Sequence, residues 1–429
     1  MAATPILEEL STSSSGSMIA QLAGFTPRLT NHGEQIENMG PVRPLRRLAI
    51  YPAAAGFDLV DELDHLCART VEPNVFFNPR FLAPAMPRLE DREIRLAVMR
   101  DGEGDDSRLR FLLPFSIERP GVPLAVPVLR SWANPFGPLG TPLIDRDDPI
   151  GVIEDFLAML SRPHLNFPKA FVLPDIRLDG PVAGLFRHVS ETRNLPLDIV
   201  DRVERPYLQS ELEGDAYLKR ALSAHHFREF KRLKRRLGEK GKLDYAIHRQ
   251  PDDVRIATEA FLTLEMDGWK GRERSAMAAD RYRAAFAREA VYRLSEADNC
   301  RAHVLSLDDK PIAVLLVFIE NGVAYTWKTA YDETYSAFSP GTLLAMEVTR
   351  THLDDPNIQA TDSCAVPDHP VMSRIWSERA QFGTMIIGLT PDTDRHVRQA
   401  AQQIHLYRES RNMARLVRNR IRKLIGRRR

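Results

Sequence analysis

Cysteine is scarce in this 429-residue sequence: Cys67, Cys300 and Cys364 are odd in number and far apart. That excludes a disulfide framework, offers no metal-ligand spacing and points to reduced thiols in the cytosol. Long apolar runs are missing too. The longest, residues 312–319, falls well short of the ~20 residues that a membrane span needs. Charge of one sign is not in excess: 59 Lys and Arg face 58 Asp and Glu, a net charge of +1. No global field therefore drives the chain onto nucleic acid or acidic surfaces, and any such binding has to come from local patches. The N-terminus carries Glu8 and Glu9 before a Ser-rich run, without the basic start and apolar stretch of a signal peptide. No P-loop, nucleophile elbow or dinucleotide fingerprint occurs. Asp362, Cys364, Asp368 and His369 lie near one another but lack ligand spacing, so no metal is expected. His225 and His226 read as helix surface.

What is present is the composition of a soluble globular protein, 43% hydrophobic and 27% charged, and a length that favours two domains. Residues 1–44 are rich in Ser, Gly and Pro without a sustained period and read as a disordered tail. Residues 45–210 and 211–392 each read as strands and helices in alternation. The run 95–99, a turn and 109–115 parallel 302–307, a turn and 312–318, each pair preceded by two helices. The fold class is therefore α/β, two tandem units each with a mixed sheet flanked by helices. A long helix is expected over 214–237, a strand over 358–364, a helix over 371–380 and a strand over 385–389. Residues 393–429 form a further segment. Its run 411–425 sets Ala414, Val417, Ile421 and Leu424 at helical spacing among Arg and Lys, a basic amphipathic helix suited to an anionic membrane surface or RNA. Packing against a partner protein, or capping of the domain, is the plainer use of such a helix.

The chain is organised around residues 301–355. Three β-rich runs are joined by an Asp-Asp-Lys turn and by Asn321-Gly322, a strong hairpin signal. Then comes Ser339-Pro340-Gly341-Thr342-Leu343, with Ser as N-cap, Pro at the first helical position, and open amides at a positive helix end. Such an end suits a pyrophosphate. A capped helix after a meander is, by itself, more often only a capped helix.

The company it keeps resembles the GNAT acyltransferase superfamily, in particular its FemAB-related, cellulose-biosynthesis-type branch. The residues that carry the resemblance are Glu265 to Arg272 with Trp269-Lys270-Gly271, the Lys328–Asp332 strand end, Tyr335, Ser339 to Leu344, and Asp362. The resemblance implies two GNAT-like units, with the donor, acetyl-CoA or another acyl-CoA, bound in the second; no counterpart of Ser339-Pro340-Gly341 is read in the first. It implies an acyltransferase acting on an amine or hydroxyl of a small-molecule or glycan-linked acceptor, with a tie to polysaccharide or cell-envelope synthesis.

Acyl transfer needs the diphosphate held, the thioester carbonyl polarised and the acceptor delivered without its proton. Ser339, Pro340, Gly341, Thr342 and Leu343 are the donor-binding candidates. Asp362 and Glu265, with Asp267 beside it, are candidate bases, because a carboxylate against an aromatic wall can be tuned toward neutrality. A solvated helix position for Glu265 and a salt bridge for Asp362 are the plainer readings. Tyr331 or Tyr335 would protonate the leaving thiolate, unless they are only core tyrosines. Trp269, Lys270 and Arg272 would border the acceptor cleft. The basic run 228–236 sits on a helix whose Phe227, Phe230, Leu233 and Leu237 face inward; it would meet donor phosphates or be a solvated face. Two rival readings are an aminoacyl-tRNA-dependent transferase, which would bind RNA, and a non-catalytic module docked peripherally on the inner membrane face.

Overall fold

The computed structural model describes residues 3–11, 45–102, 107–121 and 125–426. In chain order the first half comprises β1 (Leu7–Leu10), β2 (Arg46–Pro52), α1 (Val60–Cys67), α2 (Pro79–Leu89), β3 (Arg95–Asp101), β4 (Arg108–Glu118), β5 (Val128–Ser131), β6 (Leu143–Ile144), α3 (Pro149–Leu160), β7 (Ala170–Arg177), α4 (Pro181–Thr192) and β8 (Leu197–Leu208). Two connecting helices follow, α5 (Gly214–Ala221) and α6 (Ala224–Gly238). The second half comprises β9 (Leu243–His248), α7 (Pro251–Asp267), the single turn α8 (Trp269–Arg272), α9 (Arg281–Glu296), β10 (Cys300–Leu307), β11 (Lys310–Glu320), β12 (Val323–Tyr331), α10 (Pro340–Asp354), β13 (Ala360–Asp362), α11 (Met372–Ile375), β14 (Arg379–Gly388) and α12 (Asp394–Gly426).

Apart from β1, β6 and the turn α8, the halves share one order of elements. In each, a first strand, two principal helices, a three-stranded meander, a Pro-initiated helix and a parallel strand follow in the same order. The strands line up as β1-β2-β3-β4-β5-β7-β14-β8-β13-β12-β11-β10-β9, one mixed sheet with β6 off β4. Only β5 with β7 and β12 with β13 are parallel, the same place in each unit. The final strands are exchanged: β14 of the second half pairs with β7 of the first, and β8 of the first pairs with β13 of the second. Helices cover both faces, which explains why β4 and β11 are near-continuous apolar runs rather than alternating ones. The α/β class and the two-unit plan agree with the sequence reading.

One core crosses between the units. Phe81 of α2 meets Phe286 of α9 edge-on at 5.2 Å, and Arg88 pairs with Glu289 at 2.7 Å. The indole N–H of Trp327 donates to the Phe136 carbonyl at 2.7 Å, and Asn78 donates to buried Glu320 at 2.9 Å. Each large apolar side chain buried here contributes ~1.5–3 kcal/mol.

Some elements depart from expectation. Residues 7–10 of the expected tail are strand β1, paired antiparallel with β2; residues 12–44 lie outside the described residues. The long helix over 214–237 is two helices, broken where Ser223 turns extended and its hydroxyl caps the His226 amide. Helix 371–380 shrinks to the turn α11, because residues from Arg379 on are recruited into the central strand β14. The basic run 411–425 belongs to the longer α12, whose Val397, Ala400 and Ala401 pack on Val172 and Ile386. Among the described residues no helix is long and apolar enough to cross a membrane.

Candidate functional site

Strands β12 and β13 pair only through Val323–Ala360, Ala324–Thr361 and Tyr325–Asp362. Past that point they part, and the Thr326 hydroxyl donates to the Ser363 carbonyl at 2.8 Å. A bulge sits at the parting, since Val317 faces Thr326 but Leu316 faces Lys328, leaving Trp327 as the extra residue. From Trp327 to Tyr331 the strand therefore has β11 on one side and an edge without a β13 partner on the other. Lys328 lies on this stretch, half-buried, with its ammonium 4.8 Å from the centre of the Phe136 ring. Burial pushes its pKa down to about 8, helped by the neighbouring charge of Lys270. Sequence reasoning missed Lys328 as a site residue; the available signal was a lone lysine within an otherwise apolar strand.

A small pocket, open to solvent, lies at the open end of β12. It gathers Glu265, Trp269, Lys270, Tyr331 and Glu333, so four of the expected residues do meet. Glu265 is buried rather than solvated, and both its oxygens are engaged. Lys270 Nζ donates to Oε1 and the Met277 amide to Oε2, each at 2.7 Å. In this state Glu265 ties α8 and the following loop to the end of α7. Arg272 is turned away to Glu333 at 2.6 Å, and this hydrogen bond holds the Glu333 carboxyl below its ordinary range. Tyr335 sits on the 3₁₀ turn Glu333–Phe338 and packs with Phe338 toward the core under α6.

Helix α10 begins beside this cavity. A Cβ placed on Gly341 would come within 3.2 Å of the Tyr331 ring. The cap differs from expectation: Ser339 is left-handed, φ 53° and ψ 53°, and its hydroxyl caps nothing. The amides of Thr342 and Leu343 both donate to the Ser339 carbonyl at 3.0 Å, and Leu343 is buried, as is Pro340. That is a correction, because these two amides are spent on starting the helix. Only the Gly341 amide has no hydrogen bond among the described residues.

The first unit does hold a counterpart of this turn, contrary to the sequence reading. Asp148 is left-handed too, φ 52° and ψ 49°, and Pro149 opens α3. There the cap fills itself: the Asp148 carboxylate accepts from the Gly151 amide and from buried Arg46, the latter at 2.6 Å.

Asp362 lies elsewhere, in a small cavity, open to solvent, between the units. It is buried, 3.6 Å from Arg205, and accepts the Cys364 amide at 2.8 Å, so the ion pair allowed for it exists. Glu72, Arg177, Tyr207 and Tyr325 share the cavity. Burial raises the Glu72 carboxyl to about 7 and the Tyr207 phenol to about 12.

Of the basic run 228–236, Arg232, Lys234 and Arg235 are paired with Glu229, Glu347 and Glu239. Among the described residues no group of three or more His, Cys, Asp or Glu is placed to hold a metal.

The stretch from α6 through β13, with the parted strands and the α10 turn inside it, coincides with a known domain: residues 224–362 match the family model described as an acetyltransferase (GNAT) domain. The chain contains a GNAT-type acetyltransferase domain. No curated protein matches it significantly. Among solved structures it is similar to FemX, at 8% identity and TM-score 0.48, over 76% of this chain and 95% of that one. It is similar to L-PGS from Bacillus licheniformis, at 10% identity and TM-score 0.44, over 80% and 96%. A tandem GNAT protein from the clavulanic acid biosynthesis pathway gives 15% identity and TM-score 0.36, over 80% and 99%. These distant likenesses assign no substrate to this GNAT domain.

Proposed function

We propose that the second unit is an acyl-CoA-dependent acyltransferase, with acetyl-CoA as the donor to test first and an amine or hydroxyl as acceptor. One observation carries the reading within the matched domain: the edge of β12 that lacks a β13 partner. It runs from the α10 turn at Tyr331 back to the parting of the strands at Tyr325, six residues or ~20 Å. An extended pantetheine arm has comparable reach. Lying along that edge, it would put the diphosphate near the Gly341 amide and the thioester beside Lys328 and the bulge. The positive end of α10 favours the diphosphate, and the half-buried Lys328 ammonium favours charge developing on the carbonyl oxygen.

In this reading the acceptor nitrogen or oxygen attacks the thioester directly, the new bond forming as the carbon–sulfur bond breaks. Asp362, at the parting, receives the acceptor proton, and the thiolate leaves beside the Lys328 ammonium, which can return a proton to it. Tyr331, at the diphosphate end of the edge, is too far along the strand for that. Glu265 is the less suited base, since both its oxygens are already hydrogen-bonded. Titration calorimetry of the full chain with acetyl-CoA tests the proposal, with micromolar binding expected. No heat at millimolar acetyl-CoA overturns it.

A further inference from the structure

Helix α12 has two parts built for different surroundings. The first closes the fold. Val397, Ala400, Ala401 and Ile404 join Val172 of β7 and Ile386 of β14 in one apolar cluster. The side-chain oxygen of Gln403 accepts the Val126 amide at 3.2 Å, and Arg408 lies 3.5 Å from both Asp175 and Asp201. Capping of the domain, the plainer use of such a helix, is thus complete before Arg411. The helical backbone nevertheless continues to Gly426, another ~24 Å.

The apolar positions change sides where the composition changes. At ~100° per residue, every apolar position from Met413 to Ile425 except Leu416 falls within an arc of about 120°. That arc is turned roughly 130° from the stripe that Val397, Ala400, Ala401 and Ile404 set against the sheet, so it faces away from the fold. Leu406 and Met413 begin it and are 62% and 60% exposed. Arg411, Arg418 and Arg422 fall beside one border and Arg420 beside the other, with Asn412 and Asn419 opposite.

The near-neutral total charge conceals a strong asymmetry. Residues 411–429 hold nine of the 59 Lys and Arg and none of the 58 Asp and Glu, so a tail of +9 follows a remainder of −8, 50 cations against 58 anions. Cations at a helix C-terminus stabilise it only within the last turn, which leaves those from Arg411 to Arg420 unaccounted for. RNA would answer the cations and leave the apolar arc in water. Only one side of the helix is apolar, which fits a plane better than an enclosing groove. An anionic bilayer answers both features: the arc enters the boundary between headgroups and acyl chains, and the bordering cations meet lipid phosphates.

We propose that residues 411–426 dock the chain on the surface of an anionic bilayer, the helix lying in the plane of that surface. The proposal is independent of the acyl-transfer reading. The full chain is mixed with vesicles of phosphatidylcholine, alone or with about one-third phosphatidylglycerol, and floated. It rises with the anionic vesicles only, and ~0.5 M salt weakens the binding. Arg415→Gln, Arg418→Gln and Arg422→Gln together remove charge and keep the apolar arc. Val417→Ala, Ile421→Ala and Leu424→Ala together shrink the arc and keep every charge and the helix propensity. Each triple variant binds anionic vesicles about tenfold or more weakly, with its thermal midpoint unchanged as the check on folding.

Equal binding to both kinds of vesicle, or to neither, overturns the proposal. So does an alanine variant that floats like wild type, since charge alone would then suffice. A short single-stranded RNA bound more tightly than the vesicles, and equally by the alanine variant, assigns the segment to RNA instead. Dimers in sedimentation that both triple variants abolish, without vesicle binding, assign it to a second copy of the chain.

Discussion

Two histidines meet edge to face in the core of the second unit, where proteins seldom keep titratable groups without a partner. His303 and His352 are 1% and 2% exposed, with ring centres 5.3 Å apart. Tyr245 meets Nδ1 of His303 at 2.7 Å and Thr361 meets Nδ1 of His352 at 3.0 Å, but neither Nε2 has a partner. Burial pushes His303 well below its ordinary range and His352 down to about 3. Both are therefore neutral when folded, whereas the unfolded chain takes up a proton at each below about pH 6.5. Their contribution to stability is intact above that pH and is lost as the pH falls through it. Between pH 7.5 and 5.0 the loss is about 2 kcal/mol for His352, and it depends little on how low the folded value lies.

Glu320 works in the opposite sense. It is 6% exposed and raised to about 7 by burial, so the folded chain binds its proton first. It adds about 2 kcal/mol over the same interval. Glu72, likewise raised to about 7, acts in the same sense as Glu320, so two carboxyls offset two histidines. The wild-type curve can be nearly flat although all four effects are present, and the variants separate them. Urea unfolding of wild type, His352→Leu and Glu320→Gln is measured at pH 7.5, 6.5, 5.5 and 5.0. On acidification His352→Leu gains about 2 kcal/mol on wild type and Glu320→Gln loses about as much, whatever their offsets at pH 7.5. Curves that stay parallel to wild type would refute the reasoning.

Arg46 is fully buried and bonded to Asp101, Asp148 and Asp155, so Arg46→Met strands buried carboxylates and costs about 3–5 kcal/mol in urea unfolding. Gly341→Val drives a side chain toward the Tyr331 ring; acetyl-CoA affinity by calorimetry falls about tenfold or more while the thermal midpoint barely moves. Lys328, lowered to about 8, loses its charge as pH rises through that value, so kcat/KM for thiol release declines on the alkaline side. Lys328→Gln removes that limb and Lys328→Arg shifts it upward; an unchanged profile in both would take Lys328 off the reaction path.

Periodicity and turn chemistry are local, and what they govern was legible. The β10–β12 meander, the Asn321-Gly322 hairpin and the Pro340 helix start lie within a few residues of where their patterns put them. The exchange of β8 and β14 left no such trace, because neither strand's sequence names its partner. The same holds for β1, whose residues Leu7–Leu10 have a weak pattern of their own and are ordered by β2. Site chemistry divides in the same way. Glu265, Trp269, Lys270 and Tyr331 converge because α7–α8 folds onto the end of β12, a nearby element of the same unit. Glu72 and Arg177 come from the other unit, and nothing in the residues around them announces that Asp362 lies across the cavity.

The duplicated helix start shows how two units with one plan come to differ. Both put a left-handed residue before a proline, which fixes the chain direction and leaves one amide of the first turn to be satisfied. In the first unit that residue is Asp148; its carboxylate answers the Gly151 amide, the counterpart of Thr342, and Arg46 holds it from below. The Ile150 amide, the counterpart of Gly341, has no hydrogen bond among the described residues either. An anion arriving there meets a negative charge already in place, at a helix end whose positive potential has been used. In the second unit the residue is Ser339, which is neutral and caps nothing, and the Gly341 amide is free of hydrogen bonds among the described residues. The difference between the two turns is therefore one of charge: a carboxylate stands at the first and none at the second. That charge difference is the reason for proposing the donor's diphosphate at the second unit's turn rather than the first's.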